Sequence, residues 1–190
     1  LIGVDEVGRG AWAGPLVACG VRTDATNLVV LYDRVRDSKA TTPKQREALF
    51  DDLCLLPHAV AMRSAHQLAI RGLDECNWEV FAECAQALSQ SSDCLHGAAV
   101  VLDGDCAPLN HYLACYCTAK AESLSATVAA ASIIAKVTRD RWMIELGKAF
   151  PQYGFEKHKG YGTPQHAAAI KAYGVIPGVH RLDFIPRGLF

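Results

Sequence analysis

The stretch "GAAVVLDGD", residues 97–105, limits what this chain can fold into more than any other. It is a continuous apolar run that ends in acids. A strand with no apolar–polar alternation is covered on both faces, which is the mark of a buried parallel strand. Such a strand delivers a carboxylate, Asp103, at its C-terminal edge. The chain is therefore read as α/β, a mixed sheet with helices on its faces.

The remaining elements fit that frame. "LIGV" (1–4) and "LVACGVR" (16–22) read as strands, "VVLYD" (29–33) as a further short one, and "HAVAMRSA" (58–65) and "YLACYC" (112–117) as two more. Thr42 is placed to cap a helix that starts at Pro43, with Gln45 three residues on, the pattern of a capping box. "DECNWEVFAECAQALSQ" puts Trp78, Phe81, Ala85 and Leu88 on one helical face. Residues 125–150 are an Ala-rich helix candidate. Thr163-Pro164 repeats the cap-plus-proline start. Pro151, Gly154 and Gly160 punctuate the tail, so residues 1–150 are expected to form the core and 151–190 a helical C-terminal segment packed on it.

At 190 residues with 51% hydrophobic content, the chain can build a core without a metal or disulfide. No apolar run approaches the ~20 residues that span a bilayer, and there is no signal-peptide pattern. A cytoplasmic monomer with no membrane association is expected. The eight cysteines include no CxxC pair and are expected to be reduced, mostly buried thiols. A net charge of −1 argues against a strongly basic nucleic-acid coat but leaves room for a local basic patch.

Asp5, Glu6, Asp103 and Glu122 fall at or just after strand ends, in three separate segments. In a sheet whose first and fourth strands are neighbours, those segments converge. Clustered carboxylates raise one another's pKa, and a divalent cation reverses that logic. All-oxygen ligands suit Mg²⁺ or Mn²⁺, and two such ions form the usual clamp for in-line phosphoryl displacement. The bland alternative for each acid is a solvated cap or an ion-pair partner. Asp105 reads as a turn residue.

Between the first two strands runs "GRGAWAG". As a dinucleotide fingerprint it fails: the third glycine comes one residue late, Pro15 follows, and the next segment is a strand. A tight connection between strands and a turn whose backbone approaches a ligand such as a sugar both remain. Spacing alone does not choose between them. Trp12 either packs under this turn or stacks near a ligand. His158, His166 and His180 match no zinc spacing and read as structural or surface residues.

The opening "DEVGRGAWAGPLV" resembles the first motif of the type 2 ribonucleases H, Asp-Glu-x-Gly-Arg-Gly followed by Gly-Pro. The likeness continues in family order through "DSK" (37–39), "LDG" (102–104), "AAASIIAKVTRDR" (129–141), "HKGYGTPQH" (158–166) and the closing "HR" (180–181). It covers nearly the whole chain. The resemblance implies an RNase H-like core with a helical C-terminal extension. It implies an endonuclease that uses Mg²⁺ or Mn²⁺ to hydrolyse the RNA strand of RNA–DNA hybrids and to cut 5′ of ribonucleotides embedded in duplex DNA, leaving a 3′-hydroxyl and a 5′-phosphate.

By the same resemblance, Asp5, Glu6, Asp103 and Glu122 hold two metal ions. Gly8, Arg9 and Gly10 read the ribonucleotide 2′-hydroxyl with Tyr161, and Lys39, Lys136 and Arg139 are the basic residues best placed for phosphates. The chain departs from the family pattern at Ala121 and Glu122, where glycine and aspartate are usual. A catalytically weakened hybrid-binding homologue is the alternative this departure raises.

Overall fold

The computed structural model describes residues 1–35, 42–89, 99–104 and 115–189. Five strands form one mixed sheet in the order β3-β2-β1-β4-β5: β1 (Ile2–Val7), β2 (Leu16–Arg22), β3 (His58–Arg63), β4 (Val100–Asp103) and β5 (Cys115–Thr118). β1 pairs antiparallel with β2 and β2 with β3, while β1–β4 and β4–β5 are parallel. The "VVLD" run is thus a parallel strand between two neighbours.

The helices are α1 (Ala25–Val35), α2 (Pro43–Leu53), α3 (Ala65–Arg71), α4 (Leu73–Ser89), α5 (Ala126–Ala149), α6 (Phe155–His158) and α7 (Pro164–Tyr173). On one sheet face Ile2, Val4, Leu16, Ala18, Val100 and Leu102 pack with Val80, Phe81, Cys84, Ala85 and Leu88 of α4. On the other, Cys19 and Val21 pack with α5, α1 and α2 through residues such as Ile133, Ile134, Leu31 and Leu53. Side chains alternate along a strand, so with Ile2 and Val4 facing α4, Gly3 and Asp5 face α5. At Gly3 a Cβ would lie 2.6 Å from the Val128 backbone nitrogen. Its absence lets α5 rest directly on β1, which brings the middle of α5 to the strand ends.

Several local signals act as the sequence suggests. Thr42 and Gln45 form a capping box at α2, and Thr163 caps α7 ahead of Pro164; the Ala-rich helix also forms, capped by Ser125, which the sequence had not singled out. A third cluster, containing Ala13, Met143, Tyr153, Phe155 and Ala169, ties the C-terminal segment to the turn after β1 and to the end of α5.

Other expectations need correction. "VVLYD" lies inside α1 rather than forming a strand. Leu31 and Val35, four residues apart, are buried in the cluster around α5, and this packing overrides the β-branched local preference. The strand at "HAVAMRSA" ends at Arg63, because Ser64 and Gln67 make a capping box that starts α3. In α4 the buried stripe runs through Cys76, Val80, Phe81, Cys84, Ala85 and Leu88, and Trp78 is exposed at its margin. Cys19, Cys54, Cys76 and Cys84 are free thiols, as expected, but Cys117 is disulfide-bonded. Among the described residues no helix is long and apolar enough to cross a membrane.

Candidate active site

The four acids line one cleft of about 240 Å³ together with Arg46, Ser132, Ile133 and Lys136. The register explains the meeting of Asp5 and Asp103. Val4 pairs with Leu102 across the parallel β1–β4 ladder, so the next residues, Asp5 and Asp103, emerge side by side and both face α5. Glu6 follows on the same strand. Glu122 arrives from a 3₁₀ turn, Ala121–Ser123, entered through Lys120 in the left-handed region at φ 63°. Asp103 Oδ1 accepts the Ala121 backbone N–H at 2.7 Å, which fastens that turn to β4.

This concentration of negative charge is costly in the protein alone. Burial, and then the neighbouring Asp103 and Glu122, push the Asp5 carboxyl up to about 7, although Ser132 and the Glu6 N–H hydrogen-bond to it. Glu6 is likewise raised to about 7 by burial and by Asp5, against the opposing effect of Arg9. Glu6 Oε2 is buried with no hydrogen-bond partner among the described residues. An all-oxygen donor set, two destabilised carboxylates and an orphaned oxygen fit a hard divalent cation. Among the described residues no three His, Cys, Asp or Glu side chains stand close enough together to hold a metal ion by themselves. An open arrangement suits Mg²⁺, which keeps several waters and takes one or two carboxylates plus substrate phosphate oxygens.

Beside the cleft lies the glycine turn. Gly8 has φ +95°, and a Cβ there would run into the Arg139 side chain and lie 2.9 Å from Pro15 O. Gly10 has open space around its α-carbon. Arg9 is half exposed and reaches Glu6 at 3.7 Å and Asp74 at 3.4 Å. Backbone bonds from Trp12 N and Ala13 N to Gly160 O bring the turn against the loop that carries Tyr161. Lys136 Nζ and the Arg139 guanidinium lie 5.6 and 5.3 Å from the Tyr161 ring centre. Trp12 lies against His166, with ring centres 5.6 Å apart.

Lys136 lines the cleft and pairs with Asp140 at 2.7 Å. Arg139 stands differently from its expected phosphate role. It is fully buried, and donates to Pro15 O, Lys159 O and Ala13 O at 2.9, 2.9 and 3.0 Å. A guanidinium held by three carbonyls away from solvent does not reach a phosphate. Lys39 and Asp105 lie outside the described residues. Sequence reasoning passed over Ser132, Arg46 and Arg181. Ser132 had a signal, as the lone hydroxyl within the "AAASIIA" run of α5. Arg46 had none, since its place in the cleft depends on how α2 packs.

The three histidines form a buried, neutral network. His158 Nε2 meets Tyr153 O at 2.8 Å and its Nδ1 accepts the Gly160 N–H. His166 Nδ1 meets Tyr161 O at 3.0 Å, and its Nε2 is 3.1 Å from His180 Nε2. His180 Nδ1 accepts the Ile176 N–H at 2.8 Å. These partners assign every tautomer: His158 carries its proton on Nε2, His166 on Nδ1, and His180 on Nε2, which donates to His166. Burial lowers all three pKa values, those of His166 and His180 to about 4.

A mixed sheet with acids gathered at the ends of adjacent parallel strands, under a helix that crosses them, defines a nuclease with an RNase H-like core. The family model for ribonuclease HII matches residues 2–187. The ribonuclease HII of Geobacillus thermodenitrificans is 43% identical over 188 residues, which cover 98% of this chain and 68% of that protein. Among solved structures, the ribonuclease HII in the PCNA complex from Archaeoglobus fulgidus superposes with a TM-score of 0.80 at 27% identity, covering 97% of this chain and 94% of that one. Ribonuclease H2 from Pyrococcus horikoshii gives 0.77 at 31%, covering 96% and 92%. The chain belongs to the ribonuclease HII family, metal-dependent endoribonucleases with RNase H activity on RNA–DNA hybrids.

Proposed function

We propose that this chain cuts on the 5′ side of ribonucleotides embedded in duplex DNA, as well as within RNA–DNA hybrids, and leaves a 3′-hydroxyl and a 5′-phosphate. The observation that carries the reading is the single cleft lined by Asp5, Glu6, Asp103 and Glu122 with Lys136 at its side. The four carboxylates would hold two Mg²⁺ or Mn²⁺ ions, which when bound supply a water activated for attack and charge stabilisation at the leaving oxygen. Ser132 orients Asp5 by hydrogen bonding. Lys136 offers a cation to a backbone phosphate. Gly8, Arg9 and Gly10 present backbone to the sugar, and Tyr161 closes on it from the opposing loop. The 2′-hydroxyl is the group that distinguishes RNA from DNA at one position.

The deciding experiment incubates the protein with a DNA duplex carrying one ribonucleotide, plus Mg²⁺, with EDTA as control. Cleavage 5′ of the ribonucleotide that EDTA abolishes is expected. Absence of cleavage, with binding to the duplex retained, favours the second reading, a weakened hybrid-binding homologue, which the glutamate at position 122 motivates.

A further inference from the structure

Arg181 and Arg139 meet the turn of residues 8–15 from two sides. Arg181 is 2% exposed. It donates from Nε to Gly14 O at 2.8 Å, and from Nη1 to Gly8 O at 2.6 Å and Arg9 O at 3.2 Å. Its own backbone N–H bonds Trp12 O at 2.7 Å, and Gly14 N bonds Val179 O at 2.9 Å. Arg139 holds Ala13 O and Pro15 O and bridges to Lys159 O, two residues before Tyr161. Between them the two guanidiniums take the carbonyls of five residues in one eight-residue turn.

The geometry points to Arg181, seconded by Arg139, as a positioning residue that fixes the Gly8–Arg9–Gly10 backbone for discrimination of the sugar 2′-hydroxyl. This rests on the proposed ribonucleotide-reading role of that turn. Three features support it. First, Arg181 binds the carbonyls of Gly8 and Arg9 themselves, so the peptide planes facing the sugar are set by the side chain behind them. Gly8 and Gly10 have no side chains whose packing could do this. Second, Arg181 is an expensive way to achieve simple packing. Among the described residues no carboxylate hydrogen-bonds its guanidinium, and Nη2 is buried without a partner. A buried charge of this kind is tolerated poorly unless its geometry is needed. Third, only a planar fork reaches carbonyls on both sides of the turn at once, and the point charge of lysine lacks that reach. Recognition groups must be held to about 0.5 Å, and a turn freed on one side exceeds that.

The test compares wild type, Arg181→Lys and Arg181→Gln. Steady-state cleavage is measured on a DNA duplex with one ribonucleotide. In Ca²⁺, competition binding compares that duplex with the all-DNA duplex of the same sequence. Thermal melting and Mg²⁺ titration report on the rest of the fold. The expected result for Arg181→Lys is a fall in kcat of tenfold or more with KM changed less, and at least a fivefold loss of binding preference for the ribonucleotide. Melting is expected to stay cooperative and Mg²⁺ affinity to hold within twofold. An unchanged preference overturns the proposal, as does a rate loss with no loss of preference. Failure of both variants to fold also overturns it, because the arginine then supports the domain rather than the turn. If wild type itself neither cuts nor prefers the ribonucleotide duplex, the functional reading fails first, and the wild-type lane shows that separately.

Discussion

Asp103 Oδ1 accepts the backbone N–H of Ala121 at 2.7 Å, so one acid of the cleft fixes the backbone that carries another. Ala121 is itself fully buried, which leaves the turn little freedom to shift. Glu122 therefore projects from a fixed point, and its length determines where its carboxylate stands. Shortening it by one methylene withdraws the carboxylate by roughly 1.5 Å, one C–C bond. A misplacement of about 1 Å at a catalytic centre costs on the order of 10²-fold. Glu122→Asp is expected to lower kcat about tenfold or more, with duplex affinity unchanged, as measured by single-turnover cleavage. A gain in rate instead supports the weakened-homologue reading, in which the family aspartate is the better ligand.

Metal-free protein is expected to lose stability as pH rises. Asp5 and Glu6 have folded pKa values of about 7, above their ordinary 3.8 and 4.5. Between those limits the folded state binds more protons than the unfolded chain, so the stabilisation present at low pH is lost as pH climbs through 7. Thermal melting in EDTA should give a lower Tm at pH 8 than at pH 6. Mg²⁺ should raise Tm more at pH 8, where the carboxylates are charged. Asp5→Asn removes one of the crowded charges. It should raise the metal-free Tm at pH 8 by about 2–4 °C for each kcal/mol relieved and remove most of the Mg²⁺ increment.

What the sequence discloses depends on how local each signal is. Thr42 with Gln45, and Thr163 with Pro164, are complete within four residues, and both helices start there. Ser64 with Gln67 carries the same signal, but it is masked by the strand-like run before it. The strand-end acids were legible because an apolar run that stops on a carboxylate has few structural explanations. Their convergence follows from the β1–β4 pairing, which no local pattern encodes. Arg139 and Arg181 show the limit. From sequence, each is a cation beside a functional motif. Only the carbonyls of Ala13, Gly14 and Pro15, more than a hundred residues away, make them internal anchors. The "VVLYD" segment failed for the same reason, since α5 decides its conformation.

Lys136 differs from Arg139, one helical turn along, because it reaches the cleft. Its bond to Asp140 and its place beside the acids let the ammonium turn toward a phosphate. Lys136→Ala is expected to raise KM for a hybrid substrate severalfold with a smaller change in kcat. It should also reduce the slope of log affinity against log salt by about 0.9 or less, the share of one phosphate contact. Binding measured across a salt series checks both. Asp140→Asn, which frees Lys136 without removing it, should leave that slope in place.

The histidine network sets the opposite pH dependence on the other side of the turn. His166 and His180 share a single proton between facing Nε2 atoms, and His158 and His180 use Nδ1 to accept backbone N–H groups. Adding a proton to any of these acceptors sets two donors against each other. With folded pKa values of about 4 for His166 and His180 against 6.5 for the free side chain, the unfolded chain binds more protons below pH 6.5. Stability present above that pH is lost as pH falls toward 4, at up to about 1.4 kcal/mol per pH unit for each histidine. The acids of the cleft push the other way over the same range, so the measurement belongs in the Asp5→Asn, Glu6→Gln background. Urea unfolding there should give a lower midpoint at pH 5 than at pH 7.5 with an unchanged m value. Because His166 holds Tyr161 O, the ribonucleotide preference of the wild-type protein in Ca²⁺ binding should hold from pH 7.5 to 5, where the folded imidazoles stay neutral, and fall only as pH approaches 4. A preference that stays flat through pH 4 in protein that is still folded would separate the network from Tyr161 and leave it a purely structural element.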